Sequence, residues 1–147
     1  MAALRPVVLD DRLLIEELLV GLPARRRRGP LHTTSYWYFR ACRAAVLGGS
    51  GHLSGPLEGL GPGQREAAIL SLLELREEIA LPDPRAAVPA MARLAARHPR
   101  LNLLNLEAAA AAQLLSATVW LSEESAAGVL PSVLEAEGIT WRTIGIG

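Results

Sequence analysis

The strongest constraint on this chain is an alternation in which short apolar segments recur between stretches of helical periodicity. Val7-Val8-Leu9, Ile79-Ala80-Leu81, Ala117-Thr118-Val119-Trp120-Leu121 and the segment 139–144 read as strands. Between them apolar residues return at helical spacing, first at Leu14, Ile15, Leu18 and Leu19, later at Ile69, Leu72 and Leu73. Strands separated by helices need crossover connections, which make a sheet parallel and cover both of its faces. The expected fold is therefore α/β: a three-layer α/β/α sandwich around a short, mostly parallel central sheet. With 147 residues, half of them hydrophobic, the chain suits a single domain over 1–147 with one packed interior.

Helix boundaries follow from punctuation. Gly21 and Pro23 stop the first helix, whose Glu16 and Glu17 are expected to face out. Thr33, Thr34 or Ser35 caps a second helix running through Tyr36-Trp37-Tyr38-Phe39-Arg40 to about Leu47. Residues 48–63 are rich in Gly, Ser and Pro and read as a long, mobile connection. A third helix is expected over about 64–78 and a fourth from Pro84 to before Pro99. A fifth, over 102–116, carries the small-residue face Ala108-Ala109-Ala110-Ala111-Ala112. The last covers about 130–137 and is broken by Gly138.

Charge sets bounds on partners. Fifteen basic residues, all Arg, balance fifteen acids, so the molecule as a whole exerts no net pull on nucleic acid. The local exception is Arg25-Arg26-Arg27-Arg28, a run able to track an RNA phosphate backbone or to lie as a solvated loop or partner contact. One cysteine, Cys42, permits no intramolecular disulfide and reads as a small buried hydrophobe. The N-terminal segment is too short before its first acids for a signal peptide, and no run of about 18 apolar residues is present to span a bilayer. A cytoplasmic protein without membrane contact is expected. His32, His52 and His98 lack metal-ligand spacing. Gly48-Gly49-Ser50-Gly51 follows a helix and lacks the Lys of a phosphate-binding loop. Tyr36 to Phe39 are four successive aromatics that cannot all face one core, which favours self-association, a homodimer being the simplest form.

The chemical signal lies at two strand ends. Asp10 and Asp11 follow the first strand, and Glu123 and Glu124 follow the strand at Val119. In open parallel sheets, sites gather beyond the carboxyl ends of strands. Clustered carboxylates repel unless a cation lies between them, and Mg²⁺ or Mn²⁺ suits such oxygen donors. A metal held there can activate water against a phosphodiester. The plainer reading of the same residues is that Asp10 caps the first helix while Glu123 and Glu124 are solvated.

The opening Val7-Val8-Leu9-Asp10-Asp11-Arg12-Leu13-Leu14-Ile15 resembles the first motif of PIN-like nuclease domains, a strand that ends in a metal-binding Asp and runs into an apolar helix. Asn105-Leu106-Glu107-Ala108, then Ser116-Ala117-Thr118-Val119-Trp120-Leu121-Ser122-Glu123, resembles the closing motifs of the same family. The resemblance implies that Asp10 and Glu123 are the catalytic acids, with Asp11 and Glu124 beside them as further ligands for Mg or Mn. It also implies an acid in the second helix, yet the matching stretch carries only Arg40 and Arg43. The third family position is the neutral Asn105. At least one of Arg40 and Arg43 is therefore expected to bond the surviving acids, Asp10 foremost, and stand in for the cation.

Three functions fit these residues. One is a PIN-like protein with a weakened or lost nuclease site, kept as a regulatory or nucleic-acid-binding module. Another is an active Mg²⁺-dependent endoribonuclease of the toxin–antitoxin type, with RNA as substrate and an antitoxin-like protein as partner. The last is an oligomeric interaction protein with no nucleic-acid role.

Overall fold

A computed structural model describes residues 4–23, 29–48 and 53–146. Among the described residues, five parallel strands form one sheet in the order β3-β2-β1-β4-β5. These are β1 (Val7–Leu9), β2 (Leu31–His32), β3 (Ile79–Ala80), β4 (Thr118–Leu121) and β5 (Trp141–Thr143). The helices are α1 (Asp11–Leu19), α2 (Ser35–Leu47), α3 (Pro62–Leu73), α4 (Pro84–Arg97), α5 (Leu103–Leu115), α6 (Glu123–Ala126) and α7 (Leu130–Ala136).

The central strand shows why the sandwich has three layers. Val7 and Leu9 of β1 pack with α1, α2 and α3, while Val8 between them packs with α4, α5 and α7. Successive strand side chains point to opposite faces, so a run of three apolar residues feeds both cores. β4 does the same, with Trp120 on the first side and Val119 and Leu121 on the second. Burying each such side chain stabilises the fold by about 1.5–3 kcal/mol. Ala108 to Ala112 are all buried, which lets α5 lie close to the sheet.

Several expectations change. β2 is an additional strand between β1 and β3, with only two residues and no apolar run to announce it. Glu16 and Glu17 do not face out: both are buried. Glu17 accepts from Leu22 N–H at 3.1 Å and from Arg76 at 3.0 Å, while Glu16 pairs with Arg12 at 3.6 Å. α3 begins at Pro62 and ends at Leu73, shorter than its apolar pattern suggested. Tyr38 Oη donates to the carbonyls of Leu72 and Leu73 at 2.9 Å, tying the end of α3 to α2. In the segment after α2, Leu53 and Leu57 are core residues and Gly55–Leu57 forms a 3-10 turn, so that part is packed rather than free. The run Arg25 to Arg28 and His52 lie outside the described residues. No helix among the described residues is long and apolar enough to cross a membrane.

Candidate functional site

The carboxyl edge of the sheet is built around Asp10, the residue that follows β1. Its backbone is extended, and its side chain caps α1 by accepting from Leu13 N–H at 2.9 Å through Oδ1. The other oxygen, Oδ2, accepts from Ser122 N–H at 2.8 Å and from the Ser122 hydroxyl at 2.5 Å. Asp10 is completely buried and Ser122 nearly so. Both carboxylate oxygens are thus engaged by protein donors, in a place where an unmatched charge would be costly. Ser122 follows β4 and caps α6, its hydroxyl accepting from Ser125 N–H at 3.5 Å.

Asp11, the first residue of α1, is also buried. Its Oδ1 accepts from Arg12 N–H at 2.8 Å. Arg40 of α2 brings Nε to 2.8 Å from Asp11 Oδ2, an ion pair whose N–H lies off the line between the two atoms. The expected guanidinium is therefore present, but it meets Asp11 and not Asp10. The cause is the helix start: Asp10 turns inward to cap α1, leaving the next side chain toward α2. Arg43 takes no part in this edge. It is exposed on α2 with its guanidinium 5.5 Å from the Phe39 ring centre.

Asp11 and Arg40 form one wall of a cleft of about 220 Å³. Asn102, Asn105, Glu124 and Ser125 supply its other polar groups, and Trp37, Leu104, Val129 and Leu130 its apolar ones. The structure therefore brings Asp11, Arg40, Asn105 and Glu124 together, with Asp10 buried beside them. Glu123, the first residue of α6, is exposed and does not line the cleft. Among the described residues, no group of three or more His, Cys, Asp or Glu side chains is placed to hold a metal ion. Asp10 accepts from N–H and O–H donors, Asp11 faces a guanidinium, and Asn105 is neutral, so Mg²⁺ or Mn²⁺ at the Asp10–Asp11 edge would compete with the protein's own donors, with Glu124 as the further carboxylate of the cleft.

Two important residues escape a reading of the sequence. Ser122 completes the Asp10 clamp, and the only signal for it is that it follows the strand adjacent to β1. Glu107 of α5 is buried and grips the start of α2, accepting from Ser35 N–H at 3.1 Å and Tyr36 N–H at 2.9 Å. Thr34 caps the same helix, accepting from Trp37 N–H at 3.1 Å. A lone acid next to five alanines was the clue, because a charge on a buried face needs donors.

Away from the cleft, a second set of polar contacts joins α4, α5 and α7. Glu137 accepts from Arg97 Nε at 3.0 Å, from Arg97 Nη2 at 2.8 Å and from Gln113 at 3.0 Å, and lies 2.7 Å from His98 Nε2. The Arg97 guanidinium, then His98, hold its carboxyl down at a pKa of about 2. Burial lowers His32 and raises the Cys42 thiol, which keeps that sulfur out of its nucleophilic form. No protein-family model matches the chain, and no curated protein matches it either.

Proposed function

We propose that the chain is a PIN-like domain whose metal-dependent nuclease site is weakened or lost, retained in the cytoplasm as a self-associating regulatory or nucleic-acid-binding module. One observation carries the reading: the acid pair at the start of α1 already has its oxygens engaged by the protein's own donors. Asp10 is bound to Ser122 and the α1 backbone, and Asp11 to Arg40 at 2.8 Å. A divalent ion at this edge would have to displace a guanidinium and compete with buried hydrogen bonds. The test is calorimetric titration with Mn²⁺ and Mg²⁺, alongside incubation with single-stranded RNA. The expected result is millimolar or weaker metal binding and no metal-dependent cleavage. Tight binding at one ion per chain, lost in Asp11→Asn, would replace this reading with the active one.

That active reading, an endoribonuclease of the toxin–antitoxin type, has one observation in its favour. Glu124 and Asn105 share the cleft with Asp11, so an ion entering there would find oxygen donors on three elements. RNA cleavage that needs Mn²⁺ and disappears in Glu124→Gln would establish it. An antitoxin-like partner belongs to that reading alone.

A further inference from the structure

α2 and α3 form a hairpin whose outer surface has nothing packed on it among the described residues. Their inner faces are spoken for. Ala41, Ala44 and Ala45 of α2 and Ala68 and Leu72 of α3 are core residues. Tyr38 and Cys42 reach the Leu72 carbonyl, so the two helices lie side by side and antiparallel. The outward stripe of α2 is then Phe39, Arg43 and Val46, at spacings of four and three. The outward stripe of α3 is Glu66, Leu70 and Leu73, with the same spacings. Phe39 is 57 % exposed, Val46 63 %, Leu70 55 % and Leu73 42 %. Large apolar side chains gathered on one face mark an interaction surface.

We propose that this face is covered by a second copy of the same chain, with α2 of one copy packed antiparallel on α3 of the other. The inference deepens the self-association proposed above and does not depend on the metal question. Charge decides the occupant. The face carries one cation, Arg43, and one anion, Glu66. With Leu72 set against Tyr38 and Cys42, and Arg65 beside Gly48, the antiparallel register puts Glu66 about one turn along the hairpin from Arg43. RNA or an anionic membrane would need an excess of Arg, and this face has none. A copy turned about a two-fold axis parallel to the helices puts α2 over α3 and α3 over α2. Arg43 of each copy then comes within a turn of Glu66 of the other, and Phe39, Val46, Leu70 and Leu73 interdigitate between them. Such an interface is isologous and closes at two copies.

The dimensions fit a modest dimer. Helices of 13 and 12 residues are about 20 Å long, and packed axes lie about 9 Å apart. Covering both faces buries on the order of 1,200 Å², the lower end of stable interfaces, which suits micromolar association.

Sedimentation velocity of the full chain from about 1 to about 500 µM tests this, with thermal unfolding to show that each variant is folded. The expected result is a monomer–dimer equilibrium. Leu70→Glu should leave a monomer throughout. Arg43→Glu and Glu66→Arg should each weaken association about tenfold, and the double swap should bring it back to within about threefold of the original. Val88→Glu, in the separate groove between α4 and α5, should change nothing. A chain that stays monomeric throughout overturns both the face and the self-association. A dimer indifferent to Leu70→Glu, or lost in Val88→Glu, keeps self-association but overturns this face. Folded single swaps that weaken the dimer without recovery in the double swap overturn the proposed pairing of α2 with α3.

Discussion

Ser122 donates twice to one oxygen of Asp10, through its backbone N–H at 2.8 Å and its hydroxyl at 2.5 Å. A single carboxylate thereby joins the ends of β1 and β4 while its other oxygen caps α1. In Asp10→Asn the amide NH₂ would face two donors if it took the Oδ2 position. The expected cost is about 2–4 kcal/mol, against about 1–2 for Ser122→Ala, which keeps the backbone bond. Urea unfolding measures both. Equal stability of Asp10→Asn and the parent chain would mean that the clamp contributes nothing and that Asp10 serves another purpose.

Arg40→Gln removes the cation beside Asp11 and leaves a buried carboxylate with fewer partners. Stability should fall by about 1–2 kcal/mol, limited by the partial exposure of Arg40. Mn²⁺ should then raise the unfolding midpoint of the variant more than that of the parent, because the ion can enter where the guanidinium was. Parallel thermal melts with and without millimolar Mn²⁺ decide it. An identical Mn²⁺ response in both proteins would show that Arg40 does not occupy a cation's place.

Glu107→Gln should cost about 1–2 kcal/mol by weakening two charge-assisted bonds at the start of α2. The loss should be local. Hydrogen exchange at Ser35 and Tyr36 amides should rise more than exchange in β1 or β4. Uniform acceleration across the sheet would argue that Glu107 supports the core as a whole.

Glu137 gives a pH signature. Its carboxyl is lowered from an ordinary 4.5 to about 2, so the folded state favours the ionised form. The contribution to stability is complete above about pH 4.5 and is lost as pH falls through about 2. Urea midpoints of the parent chain should therefore drop more steeply between those values than those of Glu137→Gln. Parallel curves for the two proteins would remove Glu137 as the source.

The alternation of apolar segments is enough to read the sandwich, because a strand buried on both faces has to be apolar wherever it is enclosed, as all of β1 is and as β4 is from Val119 to Leu121. β2 was invisible for the opposite reason. Leu31 and His32 gain their strand character from pairing with β1 and β3, and His32 is only partly buried. Glu17 escapes the pattern because helical periodicity assigns acids to the solvent side, and its partners Leu22 and Arg76 are brought to it by chain reversal after α1 and by the turn that follows α3. At the site, an arginine facing the acid pair was implied by the family resemblance alone, since the helix that should carry an acid there has only Arg40 and Arg43. Which of two adjacent acids it meets depends on how a single residue, Asp10, turns at the start of α1, and no pattern in the sequence encodes that turn.

The bond between Asp10 and Ser122 joins residues 112 apart. β1 meets β2 early in the chain, but its other neighbour, β4, arrives only in the last third. Closing so long a loop carries its entropic cost before the contacts that offset it exist, which slows folding. Synthesis from the N-terminus imposes the same order. When β1, β2 and β3 have all emerged, the strand that will lie in the middle of the sheet is still an edge, and Val8 has no second layer to enter. At that stage Asp10 is solvated by water instead of Ser122. The acid that ends as the most enclosed charge among the described residues is among the last to lose its hydration.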